Sequence, residues 1–380
     1  MTAGRDALLR WAEIDVRALR DNARLIRERL QPPAQLLAMV KSNGYGHDAV
    51  FAAGAALKAG ATWLGVYTPD EALALRRERL GSRMLVVGWS PPSALPHLLR
   101  LDVDVMAYDS AGVRAIARVA REARARARVH LKIDTGLGRL GARPGSLNEL
   151  RDALRDEASN IEVAGIFTHF ADAEGDRQFT HDQHDRFLQA SAALRPVAPD
   201  ALLHTCGSAA ILNFPEMHHD LVRLGIAMYG YVPPGVRDAT PLRPAMSVFA
   251  RVAQVKDVAA GESVGYGRTW WAPSARRIAT IAMGYGQGLP RALSNRGSVL
   301  VRGCRCPIAG IVSMDQITVG VTDAGDVAAG DAVMLFGDSG GHRLGADEVA
   351  SLVGTIPHEI LCGIATSVPR IRVGDGTTAA

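Results

Sequence analysis

The sequence predicts an α/β chain in which an N-terminal (β/α)8 barrel precedes a mostly-β C-terminal domain. Two patterns support this fold class. Eight short apolar runs alternate with amphipathic stretches over the first 230 residues, and β-branched segments without long helices follow. Such alternation favours parallel strands joined by right-handed crossovers, and eight of them close a barrel. An open doubly wound sheet is the alternative for the N-terminal part.

The eight predicted strands are apolar runs of three to six residues. They are Leu36–Val40, Trp63–Val66, Met84–Trp89, Val103–Ala107, Val129–Ile133, Val163–Phe167, Leu202–His204 and Leu221–Ile226. The segments between them, such as AGVRAIARVAREARA from Ala111, carry apolar residues at helical spacing. Strand and helix therefore alternate as a barrel requires.

The pattern changes near Pro244, where strand-like segments separated by Gly and Asp-Gly predict a mostly antiparallel domain. One short helix is predicted near Ala346–Val353. The Pro- and Gly-rich stretch 233–243 marks the transition, so we place the barrel at residues 1–236 and the β domain at 237–380.

Composition excludes several classes of protein. The chain has 380 residues, of which 48% are hydrophobic and 22% charged, with a net charge of +4. This is a globular composition without the clustered basic and aromatic residues of a nucleic-acid surface. No segment approaches the ~20 apolar residues of a membrane span, so we expect a cytoplasmic protein. The four cysteines are too few for a disulfide framework, and Cys304 and Cys306 are predicted to be small buried side chains rather than metal ligands.

Lys41 follows the first predicted strand directly. Functional residues of a barrel lie at the C-terminal ends of its strands. A lysine there is either a surface residue at the rim or a desolvated amine that forms a Schiff base, and position alone leaves both open.

Other polar residues follow the later strands and make this rim basic. They are Lys132, Arg139, His169, His204 and Arg223. Ser208, Gly225 and Ile226 fall in the loops after the seventh and eighth strands, where this fold commonly binds phosphate through backbone N–H groups and hydroxyls. A lysine, a phosphate site and a basic rim together suggest pyridoxal 5′-phosphate.

Several motifs extend this prediction. They are AMVKSNGYGHD, HLKIDTGLGRLG, GIFTHFA, HTCGSAA, RLGIAMYG, SVGYGRTW, VSMDQ and the closing VPRI. With them the sequence resembles the alanine racemase family over essentially its whole length. The resemblance implies a homodimer that binds pyridoxal 5′-phosphate and a small amino-acid substrate, with each active site completed by the partner subunit.

The resemblance also implies roles for the central residues. Lys41 corresponds to the Schiff-base lysine, which acts on the α-proton of the D-enantiomer. Tyr266 corresponds to the tyrosine that acts on the L-enantiomer from the partner subunit; without the resemblance it is an ordinary strand aromatic. Racemisation needs two bases on opposite faces, because one removes the proton and the other returns it. Arg223 corresponds to the partner of the cofactor's pyridine nitrogen, supported by His204.

The remaining matches surround these groups. Tyr45, Ser208, Gly225 and Ile226 match phosphate-binding positions. Arg139 and Met314 match groups that receive the substrate carboxylate. Lys132 matches a lysine that is often carbamylated in the family, and His169 a histidine behind the cofactor near the tyrosine.

Three positions depart from the family pattern. His358 stands where the family usually has a tyrosine that contacts the phosphate and narrows the pocket, Gln287 replaces an aspartate, and Ile311 an arginine. Since Gln287 and Ile311 both lack charge, we expect a lost ion pair or drift at the surface. The shorter His358 keeps a phosphate donor and leaves room for a hydroxymethyl group, so a serine or broader-specificity racemase is an alternative. A decarboxylase of the same fold and a small cofactor-carrier barrel are more distant alternatives.

Overall fold

The N-terminal part of the chain alternates strands and helices. The structure is a computed structural model that describes residues 5–236 and 240–375. In chain order, the elements up to residue 224 are β1 (Arg10–Asp15), α1 (Val16–Arg27), β2 (Gln35–Met39), α2 (Lys41–Tyr45), α3 (Ala49–Lys58), β3 (Trp63–Val66), α4 (Pro69–Arg77), β4 (Arg83–Val86), α5 (Leu95–Arg100), β5 (Asp104–Ala107), α6 (Ser110–Glu122), β6 (Ala127–Lys132), α7 (Leu147–Asp156), β7 (Ile161–Phe167), α8 (Arg177–Leu194), β8 (Leu202–His204), α9 (Ser208–Asn213) and β9 (Leu221–Leu224).

The strands β2 to β9 form one parallel sheet with the neighbour order β8-β7-β6-β5-β4-β3-β2-β9. Backbone hydrogen bonds from Asp220 N to Leu203 O (3.0 Å) and from Arg223 N to Cys206 O (2.9 Å) join its two ends. Each of the eight predicted apolar runs overlaps one strand, which confirms the barrel. Most residues of the runs are apolar because a barrel strand is covered on both faces, as in β3 and β5, whose residues are all buried.

Side-chain caps set where the barrel helices begin. The Asp15 carboxylate accepts the N–H groups of Arg17 and Ala18 at the start of α1. At the start of α4, Thr68 and Glu71 form a reciprocal capping box. These caps fix the helix starts that face the C-terminal ends of the strands.

The second domain is built mainly from antiparallel strands, as predicted. Its elements are β10 (Met246–Val258), β11 (Ser263–Val264), β12 (Trp270–Trp271), β13 (Arg276–Ile281), β14 (Ser298–Val301), β15 (Cys304–Pro307), β16 (Ile317–Gly320), β17 (Ala332–Ser339), β18 (His342–Leu344), α10 (Ala346–Val353), α11 (Pro357–Gly363) and β19 (Arg370–Val373). The central strand β10 pairs antiparallel with β1, β13 and β17. The predicted short helix is α10.

The first strand of the chain joins the sheet of the second domain. β1 pairs antiparallel with β10 and parallel with β19. Residues 10–15 therefore belong to the sheet of the second domain, although they precede the barrel strands in the chain. The division at 236/237 stays a prediction; residues 237–239, and the outermost residues 1–4 and 376–380, lie outside the described residues. None of the helices in the described residues is both long and apolar enough to cross a membrane.

Candidate active site

A cavity of about 620 Å³ opens at the C-terminal end of the barrel. Ten of the predicted site residues contribute to its wall, nine from the barrel and His358 from α11. They are Lys41, Tyr45, Lys132, Arg139, His169, Ser208, Arg223, Gly225, Ile226 and His358. His204 lies behind this wall, fully buried against Arg223.

Lys41 enters the cavity from a sharp turn after β2. Ser42 and Asn43 have φ angles of 52° and 51°, a region that non-glycine residues rarely adopt. Two side chains stabilise the turn: Glu71 Oε1 accepts the Ser42 N–H (2.6 Å), and Asn43 Oδ1 accepts the Ala49 N–H (2.9 Å). Because these bonds hold the backbone, they fix the point from which the lysine side chain extends.

The cavity lowers the pKa of Lys41. Burial is the largest cause, the positive charge of Arg139 adds to it, and Glu71 opposes it. The Nζ atom lies 6.0 Å from the centroid of the Tyr67 ring. A lowered pKa increases the fraction of neutral amine, which is the form that acts as nucleophile or base.

Neighbouring basic groups are shifted in the same direction. Burial lowers the pKa of Lys132 to about 8, with further contributions from the charges of Arg139 and Arg223. Burial and Arg223 also hold the pKa of His169 well below its ordinary value. Several cationic groups therefore surround one cavity, and an anionic ligand would relieve their mutual repulsion.

Arg223 is held rigidly at the base of the cavity. Its Nη1 donates to His204 Nδ1 and to the His204 carbonyl (both 3.0 Å). Its Nη2 donates to the carbonyls of Thr168 (2.7 Å) and Thr205 (2.8 Å), and lies 3.2 Å from His169 Nδ1. Burial lowers the pKa of Arg223 to about 10, so the guanidinium stays charged at neutral pH.

Ser208 and the loop after β9 form a small polar cradle. Ser208 Oγ accepts the backbone N–H groups of Gly225 (3.0 Å) and Ala227 (3.3 Å). A Cβ atom at Gly225 would lie 2.9 Å from the Tyr45 hydroxyl, so a side chain there would close the cradle. Ser208 and Tyr45 both line the cavity, and their hydroxyls are donors suited to a phosphate.

His358 completes the cradle from α11. Its ring centroid lies 5.9 Å from that of Tyr45. Burial and the nearby charge of Lys41 lower its pKa to about 4. His358 lines the cavity, and among the described residues no group bonds to its buried Nδ1 atom, so this hydrogen bond is unmade.

Tyr266 and Met314 do not join this cavity within one chain. Their exposed fractions are 73% and 56%, and within the described residues both lie outside its wall. Tyr266 stands in the tight turn between β11 and β12, where Gly265 and Gly267 have φ angles of 80° and 65°. Within one chain the tyrosine ring is therefore mostly exposed to solvent.

Two functional neighbours were missed from the sequence. Glu71 binds three backbone N–H groups, those of Ser42, Tyr67 and Thr68, and so connects the start of α4 to the lysine turn. Tyr229 stacks on Tyr45 with ring centroids 4.6 Å apart. The TPDE sequence at 68–71 is a recognisable helix start, but its link to the lysine depends on strands β2 and β3 being adjacent.

The neighbours of Gln287 and Ile311 do not support the hypothesis that the two positions lost an ion pair with each other. Gln287 donates to Asp315 Oδ1 (2.8 Å) and accepts the Gly284 N–H (3.0 Å). Ile311 lies instead beside the tyrosine turn, where a Cβ at Gly267 would be 3.8 Å from Ile311 Cδ1. The two positions have separate surroundings.

Two family profiles together cover most of the chain. The alanine racemase N-terminal domain matches residues 14–233, and the alanine racemase C-terminal domain matches residues 245–372. The alanine racemase of Symbiobacterium thermophilum is 42% identical over 369 residues, covering 96% of this chain and 97% of that protein. That of Desulfosudis oleivorans is 38% identical, covering 97% and 98%.

Solved structures show the same similarity. Alanine racemase from a D-cycloserine-producing Streptomyces lavendulae superposes with a TM-score of 0.93 at 37% identity, covering 98% of each chain. The Bartonella henselae enzyme, solved with covalently bound pyridoxal phosphate, has a TM-score of 0.87 at 29% identity, covering 96% of this chain and all of that one. With both domain profiles matched and full-length relatives above 30% identity, the chain belongs to the alanine racemase family.

Proposed function

We propose that this protein interconverts L-alanine and D-alanine with pyridoxal 5′-phosphate as cofactor. One observation carries the proposal: a lysine of lowered pKa, a rigid buried arginine and a phosphate-type cradle line a single cavity. Each group suits a different part of the cofactor. The family membership of the chain supports the same activity.

The residues of the cavity fit this cofactor. The Lys41 amine would hold its carbonyl end, and the Nε–H of Arg223 would face its pyridine nitrogen. The cradle of Ser208, Gly225 and Tyr45 has room for a phosphate because residue 225 has no side chain. The unpaired Nδ1 of His358 is a further atom that a phosphate would satisfy.

The chemistry divides between the cofactor and two basic side chains. When bound, pyridoxal phosphate withdraws electrons from the substrate α-carbon and makes its proton acidic. Lys41 takes or returns that proton on one face, and Tyr266 of a second copy does so on the other. One C–H bond breaks and another forms, so the reaction needs no further reactant.

The position of Tyr266 supports a homodimer with shared sites. Its exposed ring lies on a projecting turn outside its own cavity. Met314 is exposed as well. Both residues would enter the cavity of a partner in an isologous dimer, in which each chain gives and receives the same contact.

Arg139 and Lys132 would orient the substrate carboxylate. Both line the cavity. The pKa of about 8 leaves Lys132 partly neutral near pH 7, and only a neutral amine reacts with CO2 to form a carbamate. A carbamate at Lys132 would place a negative charge near Arg139 and hold the guanidinium in position.

His358 favours serine as a second candidate substrate. An imidazole is shorter than a phenol, so His358 would leave more room at the cradle side of the cavity than a tyrosine. Pockets discriminate between substrates that differ by one small group by only ~1–3 kcal/mol of binding free energy. A modest change in the shape of the pocket is therefore enough to admit serine beside alanine. Decarboxylation has no such support, because that chemistry pairs the pyridine nitrogen with a carboxylate and here Arg223 holds the position. A mere cofactor carrier would not need the second domain with Tyr266.

We also propose that the protein acts in the cytoplasm, where D-alanine is supplied for cell-wall synthesis.

The proposed activity is tested by proton NMR of the enzyme with pyridoxal phosphate in D2O. L-alanine, L-serine, L-lysine and L-arginine are followed in parallel. Fast loss of the alanine α-proton signal, with formation of D-alanine, is expected. CO2 release without α-proton exchange would overturn racemisation, and faster exchange of serine would establish the second candidate.

A further inference from the structure

A chain of hydrogen-bonded side chains crosses the barrel interior behind Arg223. Arg223 Nη1 lies 3.0 Å from His204 Nδ1, His204 Nε2 lies 2.9 Å from His130 Nδ1, and His130 Nε2 lies 3.2 Å from Asp104 Oδ2. Both imidazoles and the carboxylate are fully buried. Asp104 is the first residue of β5, so the chain connects the N-terminal end of the barrel to the cavity.

The two ends of this chain determine where its protons lie. A guanidinium has donors and no acceptor, so His204 Nδ1 accepts and His204 carries its proton on Nε2. That N–H donates to His130 Nδ1, which leaves the His130 proton on Nε2. This proton faces Asp104, and a carboxylate accepts it. Every hydrogen bond then points from Arg223 towards Asp104.

The charges of the groups agree with this order. Burial acts to raise the pKa of Asp104, but the bond from His130 and the charges of Arg128 and Arg83 outweigh it, so the pKa lies below its ordinary value. Arg128 Nε is 2.7 Å from Oδ1, and Arg83 Nη2 is 2.9 Å from Oδ2. Burial lowers the pKa of both His130 and His204, so both rings are neutral at neutral pH.

We propose that Asp104 and His130 are positioning residues for the active site, which act by fixing the proton order that makes His204 an acceptor for Arg223. Both Nη groups of Arg223 are then bound to the protein. Within the described residues the Nε–H alone lacks a protein acceptor and stays available to the cofactor ring. The catalytic consequence rests on the proposed function, whereas the proton order is a property of the chain itself.

Removing the charge of Asp104 would permit the reverse order. In Asp104→Asn the amide NH2 group must face either Arg128 or Arg83. Arg83 is the more exposed of the two and can turn to solvent, so the NH2 group takes the place of Oδ2, where His130 Nε2 becomes the acceptor. His130 Nδ1–H then donates to His204 Nε2, and the His204 proton moves to Nδ1. Two N–H groups would face each other between His204 and Arg223, and the arginine would have to move.

The test is 15N NMR of the holoenzyme with 15N-labelled histidine, which distinguishes protonated from unprotonated ring nitrogens. Signals of His130 and His204 are assigned from the spectra of the His130→Gln and His204→Gln variants. We expect Nδ1 unprotonated and Nε2 protonated in both rings of the wild type. Asp104→Asn should shift His204 towards the Nδ1-protonated form and lower kcat about tenfold or more, with a smaller change in KM.

Asp102→Asn is the matched control. Asp102 binds the same Arg128, but its side chain is 76% exposed and lies outside the hydrogen-bonded chain. This variant should leave both the ring signals and kcat as in the wild type. A wild-type His204 protonated on Nδ1 would overturn the proposal whether or not the variants fold. So would an Asp104→Asn enzyme with unchanged ring signals. If the proton order is found but the wild type racemises nothing, the proposed function fails instead.

Discussion

At the scale of single residues, His358 has the most direct bearing on specificity. It borders the cavity next to Tyr45, and its Nδ1 has no partner among the described residues. The sequence alone identified the histidine at this position, where the family usually has a tyrosine. Its open hydrogen bond became visible only in the folded site, because burial of one ring nitrogen depends on how α11 packs against the barrel.

We predict that His358→Tyr raises the preference for alanine over serine. The longer side chain removes space beside the substrate's β-carbon, and a change of ~1–3 kcal/mol corresponds to a preference altered about tenfold or more. The measurement is the ratio of kcat/KM values for the two amino acids. His358→Phe separates size from hydrogen bonding, since it should give the same preference with weaker cofactor binding. An unchanged ratio in both variants would exclude residue 358 as a determinant of specificity.

The buried residue His47 leads to a second prediction, which concerns the pH dependence of folding stability. It is fully buried, its Nδ1 donates to the Tyr45 carbonyl (2.9 Å), and its Nε2 has no partner within the described residues. Burial lowers its pKa to about 4. The unfolded chain therefore binds a proton at higher pH than the folded protein does. Stability is kept above pH 6.5 and decreases as the pH falls towards 4, by up to about 3 kcal/mol from this group.

The measurement is the free energy of unfolding by urea at pH 7 and pH 4.5, for the wild type and for His47→Asn. Asparagine can donate to the same carbonyl but does not titrate. His219 and His358 also have pKa values lowered to about 4, but they contribute equally to both proteins. The wild type should therefore lose more stability than the variant. Equal losses would show that His47 is protonated in the folded state without cost.

At the scale of elements, the active-site turn depends on the start of α4. The Glu71 carboxylate caps this helix through Tyr67 and Thr68 and also accepts the Ser42 N–H. One side chain thus stabilises two neighbouring βα loops. Sequence patterns show the helix start, but not the second contact, because Ser42 and Glu71 are 29 positions apart.

We predict that Glu71→Gln weakens either the cap of α4 or the contact with the lysine turn, and also changes the pKa of Lys41. The amide keeps one acceptor oxygen, so either the cap or the Ser42 bond is lost, at a cost of about 1 kcal/mol in unfolding free energy. Loss of the negative charge also lowers the pKa of Lys41 further, since Glu71 raises it in the wild type. Urea unfolding measures the first effect, and the pH dependence of Lys41 acylation in the cofactor-free protein measures the second.

Glu78→Gln is the control for this pair of measurements. Glu78 is exposed at the other end of the same helix. It should change neither the unfolding free energy nor the reactivity of Lys41. If Glu71→Gln behaves in the same way as this control, the turn is held by other contacts.

At the scale of the whole molecule, local patterns predicted the architecture well. The eight strands overlap apolar runs because strands covered on both faces must be apolar. The first strand escaped this reasoning. Its partners lie in β10 and β19, more than 230 residues along the chain, and the six residues RWAEID alone do not indicate such distant pairing.

The site residues also divide into those that local sequence patterns predicted and those that depend on distant contacts. Motifs and strand ends predicted nine of the cavity residues, because a barrel gathers its strand ends at one rim, whereas His358 on α11 was identified as a departure from the family pattern. Asp104 and His130 were not predicted, since they lie inside the barrel and act through contacts between strands. Tyr266 was assigned to a partner subunit by resemblance, and its exposed position agrees with that assignment without testing it.

The most direct test of the account is subunit complementation between Lys41→Ala and Tyr266→Phe. Each variant alone should be nearly inactive. After the subunits are mixed and exchanged, half of the mixed dimer's sites carry neither substitution, so about a quarter of all sites should regain racemase activity. As a control, wild type mixed with the double variant should lose activity, because each site of a mixed dimer then carries one substitution. Native mass spectrometry confirms the exchange. A mixture of the single variants that forms mixed dimers but stays inactive would contradict two bases contributed by two chains.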